Sequence, residues 1–122
     1  MTIDAFHHVM IAIPKDAEPE ARTFYGDALG LTEIPKPEAL RRRGGVWYQL
    51  GSMQLHLGVD HDFRAARKAH VAFQVSGLSQ LRSRLSTAGL TPIDDDELPG
   101  YRRFYLDDPF GNRLEFLEVN SS

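Results

Sequence analysis

The stretch Arg103-Phe104-Tyr105-Leu106-Asp107-Asp108-Pro109-Phe110-Gly111-Asn112-Arg113-Leu114-Glu115-Phe116-Leu117-Glu118 decides how the chain is read. Its middle, Asp108 to Asn112, is dense in turn residues, with Pro109 and Gly111 each restricting the backbone to a turn. Apolar runs flank the turn on both sides, which predicts a β-hairpin. Neighbours on a strand point to opposite faces. Leu114 and Phe116 therefore share one face, and Glu115 shares the other with Leu117 and Val119. A carboxylate on a largely apolar strand needs solvent, a cation or a metal as partner.

Working backwards, the second half begins with a predicted strand, His70 to Val75. A helix follows, with Leu78, Leu81, Leu85 and Ala88 on one face and Gly89 at its end. A short extended piece around Thr91-Pro92 and an acidic loop, Asp94 to Gly100, lead into the hairpin. The first half has the same plan. Phe6 to Ile13 reads as a strand ending at Pro14, Asp16 as a helix N-cap, and Glu18 to Leu29 as a helix stopped by Gly30. A piece broken by two prolines comes next, then a polar loop from Glu38 to Gly45. Val46 to Leu50 and Met53 to Leu57 form a hairpin across Gly51-Ser52.

The order β-α-β-β-β thus occurs twice, and the two copies align residue by residue. His8-Val9 matches His70-Val71, Leu29-Gly30-Leu31 matches Ala88-Gly89-Leu90, and Leu55-His56-Leu57 matches Leu114-Glu115-Phe116. A three-residue gap near the helix reconciles the spacings. The expected fold is α+β: two βαβββ modules, 1–58 and 70–122, joined by a charged connector, 59–69. They form a curled mixed sheet with the helices on its outer face, because each half is too small to bury a sheet alone.

Strand parity places His8, His56, His70 and Glu115 on equivalent faces of four strands. The apolar faces, Val9/Ile11/Ile13, Leu55/Leu57, Val71/Phe73/Val75 and Leu114/Phe116, are left for the helices. Three imidazoles and one carboxylate suit Zn²⁺, Ni²⁺, Fe²⁺, Mn²⁺ or Co²⁺. The competing reading is a polar cup in which these groups bond one another and water. His7 and His61 read as structural, and Glu118 as solvated.

Composition narrows the partners. The 122 residues are 42% hydrophobic and carry a net charge of −3, which predicts attraction to neither nucleic acid nor anionic membrane. Arg41-Arg42-Arg43 is a short basic run read as a solvated loop. The absence of cysteine excludes disulfides and thiol catalysis. No apolar run reaches spanning length and no leader pattern opens the chain, so a cytoplasmic protein is expected.

These motifs together resemble the vicinal oxygen chelate superfamily, also called the glyoxalase, bleomycin-resistance and extradiol-dioxygenase superfamily. The resemblance rests on His8-Val9, Phe24-Tyr25 with Leu29-Gly30-Leu31, His70-Val71-Ala72-Phe73, and Asp108-Pro109-Phe110-Gly111-Asn112-Arg113-Leu114-Glu115-Phe116. It implies paired modules around a divalent metal, with ligands His8, His56, His70 and Glu115. It also implies a homodimer whose sites form between chains, and a small substrate bound through two neighbouring oxygens.

The expected activity is that of a metal-dependent lyase or isomerase of glyoxalase type, with Glu115 as ligand and catalytic base. The alternatives are a small extradiol-type Fe(II) dioxygenase and a metal-free binding or resistance protein. Trp47, Tyr48, Tyr101, Arg103 and Tyr105, with Phe104, are candidates for the substrate wall, though parity sends some of them to the core. Arg103 and the Arg41–Arg43 loop are candidates to meet an acidic substrate group. Some departures argue against particular activities. His56 stands where glutathione-dependent glyoxalase I carries a carboxylate or Gln, Ala12 where bacterial forms carry Arg, and nothing basic follows Arg113 to hold a phosphonate.

Overall fold

The computed structural model describes residues 1–120. The chain divides into two compact units, the first being Met1–Arg64 and the second beginning at Ala65. In the first unit the elements are β1 (His8–Ile13), α1 (Glu18–Ala21) running on into a π-helix (Arg22–Ala28), β2 (Thr32–Ile34), a 3₁₀ helix (Glu38–Arg43), β3 (Val46–Leu50) and β4 (Met53–Val59). In the second they are β5 (Val71–Gln74), α2 (Leu78–Thr87), β6 (Ile93–Asp94), β7 (Tyr101–Asp107) and β8 (Arg113–Val119). The sheets have equivalent orders, β1-β4-β3-β2 and β5-β8-β7-β6. In each, the first and last strands of the unit pair in parallel and the other pairings are antiparallel. The duplicated α+β architecture is the one expected, and both sheets are open.

The core follows the predicted parity. Ile11, Ile13, Phe24, Tyr25, Val46, Leu55 and Leu57 are buried in the first unit, and Phe73, Leu78, Leu85, Phe104, Leu114 and Phe116 in the second. Removing each large apolar side chain from water contributes about 1.5–3 kcal/mol, the main term opposing chain entropy. Phe116 stacks between Phe73 and Phe104, with ring centroids 5.3 and 5.2 Å away.

Local details depart from the sequence reading. Asp16 is not an N-cap: it takes a left-handed turn with φ of 62°, and Ala17 precedes the helix without a side-chain cap. Pro19 lies in the first turn, where its missing N–H costs nothing. The expected helix from Glu18 to Leu29 is α-helical for one turn only and then widens, with Leu29 N–H donating to Phe24 O, five residues back. The polar loop after Pro37 winds as a 3₁₀ helix that ends at Gly44-Gly45. At Gly45 a Cβ would lie 2.1 Å from Leu57 O, so only glycine lets the chain enter β3 there. Glu118, expected to be solvated, instead accepts hydrogen bonds from Gly77 N–H (2.8 Å) and Leu78 N–H (3.1 Å) and pairs with Arg102. It therefore supplies the cap at the start of α2 that Gly77 lacks.

The Asp108–Asn112 turn works as a clamp. Asp108 Oδ1 accepts from the N–H groups of Phe110 and Asn112, and its Oδ2 accepts from Asn112 Nδ2. Asn112 Oδ1 accepts from Ala66 N–H, and Arg113 N–H donates to Ala66 O. The turn so holds the start of the second unit against β8 and sets where Glu115 falls.

Candidate functional site

Backbone register makes the donor positions of the two units equivalent. Met10 lies opposite His56, and Ala72 lies opposite Glu115. His8 and His70 each come two residues earlier, on the same face. Each unit thus sets one donor diagonally across from another.

In the first unit the donors belong to a stack of rings. Trp47 lies opposite His56 in the β3–β4 ladder, with ring centroids 3.8 Å apart and planes 3° from parallel. His8 covers the other side of His56 at 4.2 Å and 16°. His56 is only 4% exposed, and its Nε2 lies 2.8 Å from Gln54 Oε1. Burial first, then the positive potential of His8, His7 and Lys36, lowers the pKa of His56. Its imidazole is therefore held neutral, the form a metal ligand requires. His8 is exposed, with Nδ1 3.0 Å from His7 Nδ1. Ring lone pairs lie in the ring plane, so two nearly parallel imidazoles do not aim at one point. One of them must turn for both to bind the same ion.

In the second unit the donors already converge. His70 lies just before β5, and its Nδ1 donates to Lys68 O at 2.9 Å, which turns Nε2 towards Glu115 Oε1, 2.8 Å away. Glu115 is 7% exposed. Its Oε2 accepts from Arg103 Nη1 at 3.3 Å, and Arg103 Nη2 reaches Asp95 Oδ1 at 3.4 Å. The Arg103 guanidinium also sits 5.3 Å from the centre of the Tyr105 ring, against whose edge His70 packs. Arg103 Nε is buried and has no hydrogen-bond partner among the described residues.

The second pair fits a metal on its own geometry. Zinc-type ions hold nitrogen and oxygen ligands at about 2.0–2.2 Å, so two ligands near a right angle stand about 3 Å apart. His70 Nε2 and Glu115 Oε1 have that spacing, and a backbone carbonyl fixes the imidazole, as for metal-bound histidines generally. Among the described residues no group of three or more His, Cys, Asp or Glu is close enough to hold an ion. Each unit presents a pair.

The aromatic candidates divide. Trp47 is on the donor face of the first sheet, and Tyr105 and Arg103 are beside Glu115 on the second. Tyr101 shares the strand face of Arg103 and Tyr105 and is half-buried. Tyr48 and Phe104 point the other way and belong to the core. Tyr48 is fully buried near Tyr25, its hydroxyl has no partner among the described residues, and burial pushes its pKa up to about 12. It forms no part of a substrate wall. Arg41–Arg43 close the 3₁₀ helix and are exposed, as are His7 and His61. Sequence reasoning named Arg103 but not its pairing with Glu115. The signal was the hairpin register, which places Tyr105 opposite Glu115 and Arg103 on the same face two residues away.

Comparison with known proteins agrees with this fold. The glyoxalase-like domain matches residues 8–117. A crystal structure of a glyoxalase family protein from Bacillus anthracis superposes with a TM-score of 0.95 at 44% identity, covering 98% of each chain. A glyoxalase/dioxygenase from Nostoc punctiforme (TM-score 0.79, 18% identity, 96% of this chain and 92% of that one) shares the fold. So does a lactoylglutathione lyase from Agrobacterium tumefaciens (0.74, 20%, 97% and 96%). A search of curated protein sequences found no match.

Proposed function

Because the chain belongs to the glyoxalase-like domain family, within the vicinal oxygen chelate superfamily, we propose that it is a divalent-metal-dependent enzyme acting on a small substrate through two neighbouring oxygens. The observation that carries this reading is the His70 Nε2–Glu115 Oε1 pair at 2.8 Å, with the other imidazole nitrogen committed to Lys68 O. His8, His56, His70 and Glu115 are the proposed ligands. Two donors per module fall short of the three or four protein ligands such ions take. Both kinds of module, contributed by two copies of the chain in a homodimer, therefore complete the ligand set.

When bound, a divalent ion supplies positive charge that two substrate oxygens share. The chain's own groups do the rest. Glu115 is the one carboxylate of the set and the group that takes a proton from the substrate. Arg103 holds its Oε2 and leaves Oε1 directed at His70. Trp47 keeps water from one face of His56.

Metal analysis of the purified protein, with ultracentrifugation, tests the reading. A stoichiometric divalent metal in a dimer is expected, and failure to retain any of Zn²⁺, Ni²⁺, Mn²⁺, Co²⁺ or Fe²⁺ overturns it. Iron together with oxygen uptake would assign the extradiol-type reaction instead. A second reading, a metal-free small-molecule binder, has its own support, because Gln54 and Arg103 already satisfy His56 and Glu115.

A further inference from the structure

Beside His56, on the same face of the first sheet, lies a cleft of about 200 Å³. Trp47 and Met10, both opposite His56 in the ladder, line it, with Leu40 and Val59, and two cations, Lys36 and Arg43, complete it. At Gly58 a Cβ would come within 2.6 Å of Met10 Sδ, so the glycine makes room for the thioether that floors the cleft.

The protein offsets these charges only in part. None of the ion pairs among the described residues includes Lys36 or Arg43. Lys36 Nζ donates to Gly44 O, which uses one of its three donors and anchors the ammonium. The carboxylate nearby, Glu18, spends Oε2 on Gly45 N–H at 2.9 Å. Burial lowers the Lys36 pKa, Glu18 opposes that, and Arg43 adds to it, so the two cations are close enough to repel. Glu18 keeps its negative charge while accepting that N–H, so two cations against one carboxylate leave one positive charge in excess at the cleft, in a chain whose net charge is −3. A bound anion relieves that repulsion.

The geometry points to an anion subsite: Lys36 and Arg43 bind the carboxylate or phosphate end of a small ligand whose apolar body lies on Trp47 and Met10. The cleft is smaller than the about 300–1,000 Å³ of drug-sized pockets, so the ligand is a small organic acid or phosphate ester. The subsite deepens the function proposed above and rests on it for calling this ligand a substrate.

Trp47 is the sole tryptophan, so its fluorescence reports on the cleft directly. The test uses the full chain stripped of metal with chelator, titrated with phenylacetate, phenyl phosphate and neutral phenylacetamide, with calorimetry in parallel. At least one anion is expected to bind about tenfold or more tighter than the amide, the scale of one charge-assisted contact. The tighter of the two identifies the carboxylate or phosphate class. Lys36→Met and Arg43→Met should each weaken that anion about tenfold and leave the amide unchanged, while Lys36→Arg retains binding. Failure of both anions to bind tighter than the amide, or unchanged affinity for the tighter anion in either Met variant, overturns the subsite. None of these results touches the metal reading, which is judged by metal titration of the same protein. Loss of that reading in turn leaves anion binding by stripped protein standing.

Discussion

Trp47 lies flat against His56, with ring centroids 3.8 Å apart and planes 3° from parallel. A fluorophore is thereby coupled to a proposed ligand. Adding Zn²⁺, Mn²⁺ or Co²⁺ to stripped protein should change Trp47 emission in a saturable way. His56→Ala should abolish the response. A response that survives in the variant would place the ion elsewhere.

Glu115→Gln keeps an oxygen donor but removes the base. Turnover should fall about 10²–10⁴-fold, the range for a lost general base, with metal content largely retained. Loss of metal, or activity near wild type, would deny Glu115 that role.

Arg103 places a positive charge 3.3 Å from Glu115 Oε2 and also serves Asp95. Arg103→Met leaves the buried Glu115 carboxylate with one partner fewer and should cost about 1–3 kcal/mol in denaturant unfolding. It should also raise the affinity for divalent metal, since the competing cation is gone. Weaker metal binding in a folded variant would show that Arg103 organises the ligand more than it competes with the ion.

Glu118 accepts the first N–H groups of α2, and those bonds hold its pKa below the ordinary 4.5. The sign follows from linkage: a folded pKa below the unfolded value adds stability that is complete above the unfolded value and lost as pH falls through the folded one. Glu118→Gln should therefore lower Tm at pH 7, and the gap from wild type should narrow as pH drops below 4.5. A gap independent of pH would mean the carboxylate charge contributes nothing.

Tyr48 buries a hydroxyl without a partner among the described residues. Tyr48→Phe keeps the ring packing and removes that cost, so stability should hold or rise by about 1 kcal/mol. A clear loss would reveal an unseen bond at the hydroxyl. In the native chain, tyrosinate absorbance from Tyr48 should appear only as pH approaches about 12.

Much of this was legible in the residues. Repetition of His-Val, Gly-Leu and the hairpin runs gave two βαβββ modules, because local periodicity and turn chemistry act within a few residues. Parity alone set His8, His56, His70 and Glu115 on one kind of face, since side chains alternate along any strand, but it left Tyr48 among the wall candidates that the structure sends to the core. What parity does not contain is the next residue in space. The Trp47–His56–His8 stack, the Arg103 bond to Glu115 and the Glu118 cap each join residues on different elements. So the amino-acid order determined the elements, their duplication and the type of donor each face carries. Only the tertiary structure decided that His70 and Glu115 meet at bonding distance while His8 and His56 lie ring on ring, because strand register and rotamer, not sequence spacing, set the direction of a lone pair.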